Sequence, residues 1–84
     1  MRLVNIGFGN MVSDLQVVSV VSADAAPIKR MIQSAREQGL LVDATSGRKT
    51  KSVITTSCQQ IILAALTPET LMQRFNEVGG TEIE

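Results

Sequence analysis

Three cations stand within four residues in the stretch SGRKTKSV, which covers residues 46–53. Arg48 has a planar guanidinium that can meet a phosphate group or a guanine edge with two hydrogen bonds, whereas Lys49 and Lys51 act as point charges. Apolar runs end before Gly47 and begin again after it, which predicts an exposed turn. The cations therefore suit contacts with an anionic partner; the alternative is a charged turn that only faces solvent.

Lys29 and Arg30 form a second basic pair, in the first turns of a predicted helix. Apolar residues recur there at the i, i+3, i+4 and i+7 positions of an amphipathic helix. They are Ile28, Met31, Ile32 and Ala35. Pro27 fits the first turn of this helix, and Gly39 fits the left-handed position that closes it. The pair is a candidate for further phosphate contacts, or else an ordinary solvated helix face.

The formal net charge of zero is unevenly distributed along the chain. Residues 1–66 contain seven Lys and Arg against four Asp and Glu, a charge of +3, whereas residues 67–84 contain one against four, a charge of −3. A basic body favours a polyanionic partner. Because the chain has two Phe and no Trp or Tyr, stacking on single-stranded bases is disfavoured. If the partner is a nucleic acid, duplex DNA bound through its backbone is therefore favoured over a single strand.

Residues that could support catalysis are sparse. The chain has no His or Tyr and one Cys, so the usual nucleophile–base pairs and zinc ligand sets are hard to build. Asp14, Asp24 and Asp43 lack the spacing of a magnesium or calcium loop. The stretch GFGN, residues 7–10, contains G-x-G but neither the third glycine nor the helix pattern of a dinucleotide-binding motif. We expect no enzyme, no cofactor, no metal and no small-molecule substrate.

Length and composition predict one small domain with an aliphatic core, because the chain has 84 residues of which 44% are hydrophobic. A core of this size supplies little stability, which makes self-association the expected compensation. No apolar stretch approaches the roughly 20 residues of a membrane span, and the start of the chain does not read as a signal peptide. The expectation is a soluble cytoplasmic protein without membrane contacts.

The pattern of elements predicts an α+β fold, a small and mostly antiparallel β-sheet with two α-helices. Strands are expected over residues 3–8, 11–13, 16–21, 40–45, 50–57 and 60–66, with a turn at Asp14-Leu15. Residues 40–45 and 50–57 are expected to pair as a hairpin around the basic turn. Alternation within 50–57 predicts that one face of this strand is wetter than the other.

A second helix is expected to begin with Thr67 as its N-cap and Pro68 at its first helical position. Its buried stripe is predicted to be Leu71, Met72, Phe75 and Val78. Gly79-Gly80 is expected to end the helix. Residues 1–78 would then form a single domain for DNA binding and oligomerisation, followed by a flexible acidic tail at residues 79–84.

Four stretches together strongly resemble the RemA family (extracellular matrix regulatory protein A), over roughly residues 3–75. They are NIGFGN, APIKRMIQSAR, DATSGRKTKSV and TPETLMQRF. The resemblance implies a cytoplasmic, nucleoid-associated bacterial regulator that binds DNA and acts in transcription of matrix (biofilm) genes. It also implies a homo-oligomeric ring with DNA bound around its surface.

In this family the DNA contacts are carried mainly by arginines, in a turn that usually reads G-R-R-T-R, often after an aromatic residue. The turn here reads Gly47-Arg48-Lys49-Thr50-Lys51, so the resemblance implies Arg48 and Lys49 as the leading contacts and Lys51 as the next. Ser46 replaces the aromatic residue. The family's arginine in the early turn is matched by the neutral Gln16, and the changes from Arg to Lys keep charge but lose two-bond geometry.

Two functions follow from these observations. The leading one is a homo-oligomeric DNA-binding transcription regulator whose affinity comes from repeated phosphate contacts. The alternative is an oligomeric scaffold or protein-interaction module without specific DNA binding, in which the basic turn binds an acidic protein or keeps the assembly soluble.

Overall fold

Two helices and six strands make up the chain in a computed structural model, which describes residues 2–83 and the side chains of residues 2–77. In chain order they are β1 (Leu3–Gly7), β2 (Asn10–Ser13), β3 (Val17–Ser22), α1 (Ala26–Glu37), β4 (Leu41–Asp43), β5 (Ser52–Thr56), β6 (Ile61–Ala64) and α2 (Pro68–Ile83). The predicted α+β class and the predicted number of helices are confirmed. The turn expected at Asp14-Leu15 also lies between β2 and β3.

The strands form two sheets where one was expected. β1 and β2 pair as a separate two-stranded ribbon, and the other four strands form a sheet in the order β3-β5-β6-β4. Three of the four strand pairings are antiparallel, and β4 runs parallel to β6. The expectation of mostly antiparallel pairing is therefore confirmed.

The expected hairpin between residues 40–45 and 50–57 is wrong, because β6 lies between β4 and β5. All four residues of β6 are buried, and a strand that is apolar on both faces is most stable in the interior of a sheet. The connection through α1 places β4 at the sheet edge, on the far side of β6. The basic turn therefore joins two strands that are not neighbours.

The four-stranded sheet is covered on both faces. Successive residues of a strand point to opposite faces, so Val53 packs with Ala35 of α1 whereas Ile54 packs with Leu71 of α2 and Ile6 of β1. The expectation of a wetter face on β5 is therefore wrong at its start, where Ser52, Val53 and Ile54 are all fully buried. α1 forms one outer layer, and α2 with the β1–β2 ribbon forms the other.

Helix α1 has the predicted features. Ala35 is buried, and the other members of its predicted stripe pack against the same cluster. Gly39 has φ +73°, the left-handed conformation expected after the helix end.

Helix α2 begins as predicted, since the backbone N–H of Thr70 donates to Thr67 Oγ1 at 3.2 Å. Leu71 is fully buried and Phe75 packs against the same core, but Met72 is 59% exposed and does not belong to the buried stripe. Met72 follows Leu71 directly, and successive helical residues point about 100° apart.

The expected end of this helix at Gly79-Gly80 is wrong, because the helical backbone continues to Ile83. Glycine within a helix costs about 1 kcal/mol relative to alanine and does not by itself terminate it. The side chains of residues 78–84 lie outside the described residues, and with them Val78 of the predicted stripe and the predicted acidic tail.

Candidate nucleic-acid interface

Residues 44–51 form a loop, here called the basic loop, that connects β4 to β5 across the end of β6. At its start the N–H of Ala44 donates to the carbonyl oxygen of Leu63, and at its end the N–H of Lys51 donates to that of Ala64, both at 2.9 Å. Because two consecutive residues of β6 hold the two ends, the loop is anchored to the centre of the sheet. Its span is two strand spacings, about 10 Å.

A tight turn lies in the first half of the basic loop, where the sequence predicted one. Ser46 has φ +54° and Gly47 has φ +80°, and the N–H of Arg48 donates to the carbonyl oxygen of Thr45 at 3.1 Å. Left-handed conformations at both central residues are typical of a type I′ turn. The turn places Arg48 directly after a backbone reversal, at the tip of the loop.

The base of the basic loop is held by Asp43 and Thr45. One carboxylate oxygen of Asp43 accepts hydrogen bonds from the hydroxyl of Thr45, at 2.5 Å, and from its backbone N–H, at 2.9 Å. Thr45 is buried. Both bonds lower the pKa of Asp43 below its ordinary value, because they stabilise the charged carboxylate. The hydroxyl bond has the larger effect and the backbone bond the smaller one.

Arg48, Lys49 and Lys51 are exposed and line one groove of about 540 Å³. Among residues 2–77, none of these three cations forms an ion pair. Phe8, Ala65 and Leu66 complete the groove. The structure therefore brings the three cations predicted from the basic turn onto one surface, beside apolar groups.

The other side of the basic loop is electrostatically mixed. Lys49 and Lys51 also border a groove of about 350 Å³ whose lining includes the acidic residues Asp24 and Glu69. Negative charges there oppose an anionic ligand. The side that carries Arg48 and Phe8 is the better surface for phosphate.

Lys29 and Arg30 are exposed on α1, which covers the opposite face of the sheet from the β1–β2 ribbon. Arg30 borders a different groove, together with Met31, Gln38 and Gln59. The structure does not bring this pair into the groove of Arg48. In a single chain the two predicted basic clusters are separate surfaces.

Gln16 lies in the turn before β3, and its side chain accepts a hydrogen bond from the Ser57 hydroxyl at 3.0 Å. The N–H of Ser57 donates to the Gln16 carbonyl oxygen at 2.8 Å. These contacts are at the end of β5 opposite to Lys51. Five residues of β5 separate the two ends by about 17 Å, so Gln16 is remote from the basic loop within one chain.

Sequence reasoning missed Phe8 and Leu66 as neighbours of the cations. The GFGN stretch was noticeable, but 40 residues separate Phe8 from Arg48, and no local pattern reports a contact over that separation. Arg48 Cζ lies 5.3 Å from the centroid of the Phe8 ring, within the range of a cation–π interaction.

Two features are absent from the described part of the chain. Neither of its helices is long and apolar enough to cross a membrane. Its Cys, Asp and Glu side chains include no group of three that could hold a metal ion.

Comparison with known proteins finds a family model, described as RemA-like and extracellular matrix regulatory protein A-like, that matches residues 3–75. A relative from Acetivibrio thermocellus is 54% identical over 84 residues, covering 100% of this chain and 90% of the relative. Another from Alkaliphilus oremlandii is 55% identical over 84 residues, with 99% and 90% coverage. A third, from Alkaliphilus metalliredigens, is 56% identical over 75 residues, with 89% and 81% coverage. Each is named "Putative regulatory protein".

Proposed function

This chain belongs to the RemA-like family, and on that premise we propose that it is a transcription regulator that binds duplex DNA through its basic loop. The names of the family and of the relatives support a regulatory role. The family description refers to the extracellular matrix, so matrix (biofilm) genes are the first targets to test. A regulator of this kind acts in the cytoplasm, at the nucleoid.

The observation that carries the proposal is the common groove of Arg48, Lys49 and Lys51. The cations are exposed on a loop whose two ends are bonded to β6, so they can meet phosphate without deforming the sheet. Three phosphate contacts displace counterions and give a slope of log K against log salt of about −2.7 per chain. Counterion release from only three phosphate contacts makes a single chain a weak DNA binder.

Repetition of the loop in a homo-oligomer would raise this affinity, since the second and later contacts become intramolecular. The support for self-association is a set of large apolar side chains that one chain leaves exposed. They include Leu3, Met11, Leu15, Val18 and Met72. We propose that copies of this chain cover them in a ring that presents the basic loops on one rim. Bending 20–30 base pairs of DNA along such a rim costs on the order of 1–6 kcal/mol, which several loops together can offset.

A gel-shift titration of duplex DNA across a salt series tests the loop. Wild-type binding is expected to weaken steeply as salt rises, and Arg48→Ala combined with Lys49→Ala is expected to remove it while light scattering shows unchanged assembly. The matched control is Lys29→Ala with Arg30→Ala, which removes the same charge from α1. Equal loss in both double variants would contradict the assignment of the contact to the basic loop.

The exposed apolar side chains also favour the second candidate, an oligomeric scaffold or protein-interaction module. The same titration separates the two functions. An assembled wild-type protein that binds no duplex DNA even at low salt would favour the scaffold and overturn DNA binding.

A further inference from the structure

The turn between β1 and β2 has a backbone conformation that is rare for its sequence. Gly7, Phe8 and Gly9 all have positive φ, of 110°, 55° and 79°. Glycine adopts such angles readily, but an aromatic residue seldom does. The Phe8 side chain is 49% exposed, so burial in the core does not account for its placement. Non-glycine residues held in such sparsely populated conformations cluster at functional sites.

Two asparagine side chains hold this turn in place. Asn5 Oδ1 accepts from the N–H of Gly7 at 2.7 Å, and Asn10 Nδ2 donates to the carbonyl oxygens of Gly7, at 3.0 Å, and Phe8, at 3.4 Å. Asn10 Nδ2 is also 3.5 Å from the carbonyl oxygen of Ala44, the first residue of the basic loop. The turn is therefore bonded both internally and to the loop that carries the cations.

This arrangement places the Phe8 ring beside the Arg48 guanidinium, with Cζ 5.3 Å from the ring centroid. A guanidinium can stack on an aromatic face while its N–H groups remain available to an anion. The stacking also restricts the Arg48 side chain before binding. Less conformational entropy is then lost when the side chain meets its ligand. Lys49 and Lys51 border the same groove but have no aromatic contact among the described residues.

We propose that Phe8 is a positioning residue for DNA binding, one that orders the Arg48 guanidinium before it meets phosphate. The inference rests on the proposed function and adds the β1–β2 turn to the binding surface. A cation–π contact at an exposed site corresponds to about a two- to five-fold change in affinity per loop. In an assembly that engages several loops the factor multiplies.

Phe8→Leu and Phe8→Tyr form the matched pair of test variants. Leucine keeps apolar bulk and the same backbone requirement but has no ring face, so duplex affinity at fixed salt should fall about two- to five-fold per loop. Tyrosine keeps the face and should bind as the wild type does. Since the phosphate contacts remain, the salt slope of Phe8→Leu should equal that of the wild type, whereas Arg48→Ala should lower it by about 0.9 per loop.

A double-mutant cycle separates positioning from a merely structural role. Phe8→Leu should weaken binding in the wild type and have no further effect when Arg48 is already alanine. An equal loss in both backgrounds would overturn the inference. The inference would also be overturned if the Phe8→Leu variant bound DNA as tightly as the wild type while the Arg48→Ala/Lys49→Ala variant did not bind. If that double variant binds normally, the proposed function itself fails.

A measurement without DNA tests the same contact in the free protein. The Phe8 ring current should shift the side-chain proton resonances of Arg48, and Phe8→Leu should return them to ordinary positions while Phe8→Tyr keeps the shift. Arg48 resonances that are identical in the wild type and in Phe8→Leu would overturn the inference, whatever the DNA affinity.

Discussion

The Asp43–Thr45 pair shows how single side chains shape the candidate surface. Asp43 is exposed and Thr45 is buried, so the pair joins the protein interior to the start of the basic loop. The carboxylate is satisfied by Thr45 itself. Because the Asp43 carboxylate is bonded to Thr45, it fixes the geometry of the loop. It does not pair with the three nearby cations, which stay available to an anion.

Thr45→Val is expected to raise the pKa of Asp43 towards its ordinary value, because it removes the hydroxyl bond that lowers it most. A carboxyl group whose pKa is lowered in the folded state stabilises that state at neutral pH. It ceases to do so as pH falls through its folded pKa, below 3.8. The wild type should therefore exceed the variant in stability at pH 7, and the difference should shrink in acid.

Titration of the Asp43 carboxyl carbon by NMR, with urea unfolding at several pH values, measures both effects. Thr45→Ser is the control, since it keeps the hydroxyl. A pKa of Asp43 that is the same in Thr45→Val and in the wild type would contradict the assigned cause.

At the scale of elements, α2 shows how a local signal and the core act together. Its first turn is capped by Thr67, and Leu71, four residues later, is fully buried against the sheet. The cap sets where the helix begins and therefore which side chains face the core. The same start places Glu69 in the groove that Lys49 and Lys51 share with Asp24, beside the basic loop.

Thr67→Ala is expected to lower the free energy of unfolding by about 1 kcal/mol, because the N–H of Thr70 loses its side-chain acceptor. Thr67→Ser keeps an oxygen in place and should retain most of the stability. Urea unfolding of the three proteins measures the difference. Equal losses for alanine and serine would show that the threonine methyl group, and not the cap, is what matters.

For the whole molecule, the proposed self-association rests on large apolar side chains that a single chain leaves exposed. Leu15 is 72% exposed and Val18 is 69% exposed, and both lie where the β2–β3 turn leads into an edge strand. Large apolar patches on soluble proteins commonly mark interaction surfaces. A small domain also gains stability when such surfaces are buried by association.

Light scattering at micromolar concentration is expected to give a mass several times the 9.0 kDa of one chain. The thermal midpoint should rise with protein concentration, because association stabilises the folded state. Leu15→Ser with Val18→Ser should lower the apparent mass, with circular dichroism as the control for folding. A wild-type monomer at this concentration would contradict both self-association and the rim that depends on it.

Features that depend on neighbouring residues were predictable from the sequence. Pro27 lies in the first turn of α1, and Gly39 follows the end of that helix. Thr67 caps α2, and Gly47 lies in a tight turn. Each of these effects acts within a few residues along the chain. The position of the three cations at one exposed turn followed from the same local reasoning. So did the α+β class.

Strand order and the neighbours of the basic loop were decided only by the tertiary structure. β6 enters between β4 and β5 because burying an apolar strand on both faces is a property of the whole sheet, which no short window reports. That insertion stretches the predicted hairpin turn into a loop across a strand end. It also sets the loop beside Phe8, whose contact with Arg48 depends on the packing of a separate ribbon.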